Sequence, residues 1–290
     1  MALSINTDIN SMFTLGSMRK SGQNLAAVLE KLSSGQRINK AADDSAGMQL
    51  ANALESQARG MGQAIRNASD AVAVTQIADS ALQQVGDIMS TVREKALQAA
   101  NASQSVESRQ AIQSDVDRLL ASADQIINNT SYNGQKLLSG GFTNKAIQTG
   151  AEAGQTITLN IPGLTLPSQN ATAASNQEPA DEAQAQDNRI DLTTQEGAEA
   201  ALGAIDAVMT RINSQRSELG SARNQLISSI ANLSTSEINT RAAQSTISDA
   251  DLAEEAMFLA QSKMLRQAQL FALTQTKNLN KENALNLLQG

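Results

Sequence analysis

The residues able to carry proton or metal chemistry are few, and carboxylates supply most of them. Asp43 and Asp44 are adjacent, and Asp249 and Asp251 form a second close pair. Two carboxylates that face each other can share a proton or hold a cation. Neighbouring residues on a helix do not face each other, so both pairs read as acids at helix starts, where the dipole favours them. A looser acidic group, Glu178, Asp181, Glu182, Asp187 and Asp191, has only Arg189 as a nearby base. It lacks the ligand spacing of a calcium loop and reads as a solvated linker. The chain has no His and no Cys. Residue type alone therefore excludes Ser-His-Asp and Cys-His nucleophiles, His-rich zinc sites and disulfides. No Walker-type glycine loop is present. No catalytic group, cofactor or metal is assigned, and an enzyme is not expected.

With no chemistry to position, the elements must serve another end. Hydrophobic residues make up 41% of the chain, yet aromatics are 2% and Trp is absent. Large aromatics dominate compact cores, whereas Ala with scattered Leu, Ile and Val suits long helical seams. Three prolines leave most of the length free to be helical. A net charge of −7 argues against a nucleic-acid partner. No apolar run approaches the roughly 18 residues of a membrane-spanning helix. The start, Met1-Ala2-Leu3-Ser4-Ile5-Asn6, lacks a basic region followed by an apolar stretch, so no cleavable secretory signal is expected.

Apolar spacing locates the seams. Ala78, Leu82, Val85, Met89, Val92, Ala96 and Ala99 alternate steps of four and three, as do Ile112, Val116, Leu119, Ala123 and Ile126. Ile205, Met209, Ile212, Arg216, Leu219, Arg223, Leu226, Ile230 and Leu233 repeat the pattern. This is the heptad rule, which keeps one stripe toward a partner helix. Arg216 and Arg223 interrupt it with long stems whose heads can reach an acid or water. Thr193 with Glu196, and Ser248 with Asp251, read as capping boxes opening the last two helices. Between the helical halves, Ile157, Leu159 and Ile161 alternate with polar residues as a strand, ended by Pro162-Gly163. Residues 146–149 supply a partner strand. The stretch from Pro167 to Asp191 is polar and solvent-facing.

The chain ends carry apolar faces with no internal partner except each other. Leu25, Val28, Leu29 and Leu32 mark the first; Leu252, Ala256, Leu259, Met264, Leu265, Ala268, Phe271 and Leu288 mark the last. Residues 1–40 are net basic, with Arg19, Lys20, Lys31, Arg37 and Lys40 against Asp8 and Glu30, while the C-terminal segment is slightly acidic. Pairing thin seams offsets little of the roughly 1–2 kcal/mol per residue that ordering costs. These ends should order only when copies surround them, and non-closing contacts between identical rods make filaments.

Three motifs carry a resemblance. The run from Leu32 to Gly47, LSSGQRINKAADDSAG, is similar to the N-terminal signature of bacterial flagellins. Ser248-Asp249-Ala250-Asp251-Leu252-Ala253-Glu254-Glu255 resembles the family's C-terminal counterpart, and Tyr132-Asn133-Gly134-Gln135-Lys136-Leu137-Leu138 resembles the turn closing its N-terminal helices. The opening Ser4-Ile5-Asn6-Thr7 also fits. In the signature, Gly35 and Asn39 can break the first helix, and Asp43 and Asp44 can start the second, with Arg37 between them.

The resemblance implies a mainly α fold: a long antiparallel coiled-coil bundle with paired terminal helices and a small outer β-hairpin and loop region. It divides the chain into an inner-tube helix and spoke (1–42), bundle helices (43–140), a short outer region (141–192), a C-terminal bundle helix (193–245) and a C-terminal inner-tube helix (246–290). It implies a secreted subunit of the extracellular flagellar filament, exported unfolded by type III secretion. A chaperone on faces such as Leu259, Phe271 and Leu288, and cap and hook-junction proteins, are the implied partners. Membrane insertion is not implied. The helix holding Thr91, Arg93, Glu94 and Lys95 resembles the flagellin surface read by Toll-like receptor 5. Strongly recognised members carry Arg in place of Thr91 and Leu in place of Lys95, so recognition here should be weak or evaded. Ser168, Thr172 and Ser175 are candidates for the O-glycosylation some flagellins carry. A hook–filament junction protein is the runner-up, and a secreted helical adhesin or host-receptor ligand a further alternative.

Overall fold

The computed structural model describes residues 9–167 and 190–289. Ser168, Thr172, Ser175, the acids from Glu178 to Asp187, and residues 4–7 lie outside the described residues, as does the side chain of Leu288. The elements, in chain order, are α1 (Ile9–Ser34), α2 (Ser45–Ala99), α3 (Val106–Asn129), β1 (Ser131–Tyr132), β2 (Gln135–Lys136), β3 (Phe142–Gln148), β4 (Thr156–Ile161), α4 (Gln195–Ser248) and α5 (Leu252–Gln289). The fold is mainly α, as expected, and the described residues hold two small antiparallel hairpins where one was expected. The chain forms two compact units, residues 1–58 with 238–290, and residues 59–237. The division falls inside α2 and α4 rather than at helix ends.

In the 59–237 unit, α2 supplies the main seam. Ala78, Leu82, Val85, Met89, Val92, Ala96 and Ala99 each retain 0% exposure, as the four-three spacing predicts. Opposite them, Ile205, Ile212, Leu219 and Leu226 of α4 are buried, and Met209 and Ile230 partly so. The two helices run antiparallel: Arg93 meets Asp206 at 2.7 Å, and Arg216 meets Asp79 at 2.8 Å. Arg216 thus reaches an acid, as its place in the stripe suggests. The Nε of Arg223 is buried without a hydrogen-bond partner among the described residues.

α3 departs slightly from its predicted stripe. Ile112, Val116 and Ala123 are buried, but Leu120 and Ile127 are covered more fully than Leu119 and Ile126. A helix in a globular bundle buries a stripe wider than the strict coiled-coil seam, so the neighbouring heptad position enters the core. Gln113 on this helix is buried and fully used. Its Nε2 donates to the Ile190 carbonyl (3.2 Å) and to Asp117, and its Oε1 accepts from the Leu192 N–H at 2.6 Å. This clamps the returning chain onto α3.

β3 and β4 form the expected hairpin, longer on the β3 side than predicted, with a bulge between Phe142 and Lys145. Its apolar face is seated on the helices. Phe142, Leu159 and Ile161 lie in the same core as the helices, and Ile147 and Ile157 pack beside Ala68, Ala71 and Leu226. Its turn approaches α2, where a Cβ on Gly60 would meet the Ala151 Cβ at 3.1 Å. A lone two-stranded hairpin is marginal in water, and its alternating apolar face needs a surface to cover it. β1 and β2 are joined through Asn133 and Gly134, both at positive φ, the two-residue turn that matches strand twist.

Both predicted helix starts move. α4 is capped by Thr194, whose Oγ1 accepts from the Gly197 N–H (3.0 Å), while Thr193 bonds Asp191. α5 is capped by Asp251, which accepts from Ala253 and Glu254, while Ser248 ends α4. In each case several hydroxyl or carboxylate residues stand in succession, and any of them can accept the orphan N–H groups.

The seam, not the surface ion pairs, should dominate this unit. Leu82→Ala is expected to cost about 2–5 kcal/mol in denaturant unfolding. A double-mutant cycle on Asp79 and Arg216, both more than a third exposed, is expected to return under about 1 kcal/mol of coupling.

Candidate assembly interface

Within the unit formed by residues 1–58 and 238–290, the spoke is built from backbone polar groups. α1 stops because Gly35 takes a positive φ of 70° and its N–H returns to the Lys31 carbonyl. Its own carbonyl accepts from Ala250 at 3.0 Å, and the Arg37 N–H donates to the Ser248 carbonyl at 2.7 Å. Gln36 and Asp249 bridge as a single antiparallel pair between these bonds. The Arg37 guanidinium donates to the Ile247 carbonyl at 2.7 Å. These carbonyls belong to the last turn of α4, which lacks intrahelical donors and attracts a cation. The signature and its C-terminal counterpart are thus one contact.

The second half of the spoke is closed by the two acids. Asp43 Oδ2 accepts from the Asn39 N–H (3.1 Å) and the Lys40 N–H (2.9 Å). Those bonds, Lys40 first, hold its carboxyl below the ordinary carboxylate range. Lys40 Nζ in turn reaches Glu30 at 2.6 Å, which raises the ammonium's pKa. Asp44 caps α2 through the Gly47 N–H at 2.9 Å. The expectation that both acids cap the helix holds for Asp44; Asp43 instead closes the turn behind it. Asn39 keeps a negative φ and donates its side-chain amide to the Gln36 carbonyl. Gly47 leaves room for the cap: a Cβ there would lie 2.4 Å from Asp44 Oδ2 and 2.8 Å from Ile38 Cδ1, so either side chain would have to shift.

α1 and α5 pack together, antiparallel, with Lys31 and Glu255 3.5 Å apart where the pair meets the spoke. On α1 the covered positions are Met18, Ser21, Leu25, Val28 and Leu32, spaced three and four. Leu29 faces out at 46% exposure. On α5 they are Glu255, Leu259, Ser262, Gln269, Leu273 and Thr276. Of the described residues expected to form one C-terminal face, Leu259 alone belongs to this seam. Leu252, Met264 and Phe271 point away, 57%, 63% and 73% exposed. α5 is apolar on two sides, and apolar spacing could not say which side meets α1.

The outward sides are the distinctive feature. Met257, Met264 and Phe271 follow at seven-residue steps on α5, and Ile9, Met12 and Phe13 stand exposed on α1. The covered seam is the poorer of the two, with Ser21, Ser262, Gln269 and Thr276 at core positions and Gln269 Oε1 buried without a partner among the described residues. A helix with two apolar sides needs a partner on each. Covering one outward Met or Phe would add about 1.5–3 kcal/mol. In the other unit, Thr91 and Glu94 are exposed, Arg93 is held by Asp206, and Lys95 lies 4.0 Å from Asp115.

Residues 5–143 match the bacterial flagellin N-terminal helical region, and residues 202–288 match the bacterial flagellin C-terminal helical region. Flagellin FlaB1 of Treponema pallidum is 32% identical over 98% of this chain and 99% of its own length. The chain belongs to the bacterial flagellin family. Flagellins are structural proteins rather than enzymes. Flagellin B of Helicobacter pylori is 48% identical over 56% of this chain, which spans only 31% of that longer protein. A Vibrio parahaemolyticus structure described as a flagellar hook-associated protein aligns with a TM-score of 0.56 at 18% identity, over 71% of this chain and all of that one, a likeness of fold.

The spoke yields a pH expectation. Because the folded pKa of Asp43 is depressed, its contribution is complete above the ordinary value and fades as pH falls through the depressed one. A carboxyl NMR titration is expected to place its midpoint below 3.8. Asp43→Asn should speed amide exchange at Asn39 and Lys40 at neutral pH. A midpoint at or above the ordinary value would contradict the turn-closing role.

Proposed function

We propose that this chain is the repeating subunit of an extracellular flagellar filament, exported unfolded by type III secretion. The outward apolar faces of α1 and α5 carry the reading. In a family of flagellar structural proteins, further copies of the chain are the partner that repeats along both sides of the terminal pair. The Treponema maltophilum relative, 32% identical over 98% of this chain, is itself named as a flagellar filament core protein. Leu25, Val28 and Leu32 then hold the pair together with Leu259, while Leu29, Leu252, Met264 and Phe271 meet neighbours; Leu288, also expected to take part in assembly, lies outside the described side chains. Gly35, Arg37, Asn39, Asp43 and Asp44 orient the pair through the spoke. In the division we propose, residues 1–42 and 246–290 form the inner tube, 43–140 and 193–245 the bundle, and 141–192 a short region attached to it.

Before export, a chaperone would cover α5 on both sides, the seam side with Leu259 and the outward side with Phe271. Cap and hook-junction proteins would present faces equivalent to a neighbouring subunit. Ser168, Thr172 and Ser175 remain our candidates for O-glycosylation. For Toll-like receptor 5 we infer weak recognition. Thr91 lacks a guanidinium fork, Lys95 lacks an apolar contact, and Arg93 is already engaged by Asp206 at 2.7 Å.

Purified chain is expected to elongate filament seeds into long fibres under negative stain. Removing residues 1–30 or 265–290 should abolish elongation while the 59–237 unit keeps its helical circular dichroism. A junction protein would stop after a limited addition, and truncated chains that still made long fibres would overturn the role of the ends. In a reporter-cell assay, purified monomer is expected to activate Toll-like receptor 5 feebly. Full-strength activation would refute the evasion reading.

A further inference from the structure

The outward face of the terminal pair contains thioethers where a durable apolar seam would carry Leu. Met257 and Met264 occupy the same heptad position on α5, 67% and 63% exposed, and Met12 on α1 is 64% exposed. The contrast within the chain is sharp. Met89 has 0% exposure in the bundle seam, and Met61 has 9%. Susceptibility of methionine to oxidation follows access to its sulfur. Among the described residues, Met12, Met257 and Met264 are the methionines that stand open, and all three sit on the faces assigned to neighbouring copies.

We propose that Met12, Met257 and Met264 form a reversible oxidation site through which a peroxide controls whether the free subunit can assemble. The proposal rests on the filament reading given above. The sulfur lone pair attacks one oxygen of hydrogen peroxide, the O–O bond breaks, and water leaves. Sulfur is oxidised by two electrons to the sulfoxide, and the peroxide is reduced. The product is a polar acceptor on a face that must become dry. Buried without a donor, it opposes association. Once neighbours cover these sulfurs, peroxide no longer reaches them. The switch therefore acts on the unassembled chain and spares the finished polymer.

The test uses the full chain. Dilute monomer is treated with hydrogen peroxide, quenched, and mapped by peptide mass spectrometry. Sulfoxide is expected at positions 12, 257 and 264 well before Met61 and Met89. In seeded elongation, the oxidised chain is expected to show a critical concentration roughly five- to a hundredfold higher. Methionine sulfoxide reductases of both epimer specificities should restore it. The Met12→Leu, Met257→Leu, Met264→Leu triple variant conserves volume and should elongate after the same treatment. A second measurement needs no variant: preformed filaments should resist oxidation at the three positions. Oxidised wild-type chain elongating normally, or filaments oxidising there as fast as monomer, would overturn the site. Untreated wild-type chain that never elongates would overturn the filament reading itself and the proposal with it.

Discussion

A helix that is apolar on two opposite sides cannot satisfy both against one partner. This constraint governs the ends of the chain. α1 and α5 cover one side of each other, and the side they cover is the more polar one on α5. Hydroxyls and amides at Ser21, Ser262, Gln269 and Thr276 weaken a seam that Leu at each position would lock. The stronger hydrophobes, Met264 and Phe271 among them, are left facing out. An end region so arranged leaves apolar surface that any partner on the outward side would stabilise by covering it.

The bundle follows the opposite rule. Its α2 stripe is sealed without help from another chain, with Leu82, Val85, Met89 and Val92 fully covered. The β3–β4 hairpin closes the same core rather than extending away from it. The contrast separates a self-contained core from a terminal pair whose outward apolar faces are uncovered. The spoke lies beside that pair and is held by backbone bonds, Gly35 to Ala250 and Arg37 to Ser248.

Polar side chains in this fold serve the backbone. The acids that look most like chemistry, Asp43, Asp44 and Asp251, each accept backbone N–H groups at a turn or helix start. Gln113 spends both ends of its amide on the main chain around Ile190–Leu192 and on Asp117. Each answers the same need, since a helix end or a returning loop leaves backbone donors and acceptors without a partner in the secondary structure. In a fold made of long helices joined by short links, these are the places where a polar residue stabilises most.

Periodicity is legible in the order of residues alone. The four-three rows at Ala78–Ala99 and Ile205–Leu226, the alternation at Ile157–Ile161 and the helix stop at Gly35 are set by local backbone geometry, which a single sequence expresses directly. The motifs at residues 32–47 and 248–255 point to the family by themselves. Helix starts shift by a residue or more at Thr194 and Asp251 because neighbouring side chains compete for the same orphan donors. Three matters are decided only in three dimensions: the side of α5 that meets α1, the seating of the hairpin in the core, and the Gln113 clamp. Each joins residues far apart in the chain, and no local rule ranks such contacts. The choice falls to whichever arrangement buries the surface that the nearer contacts leave uncovered.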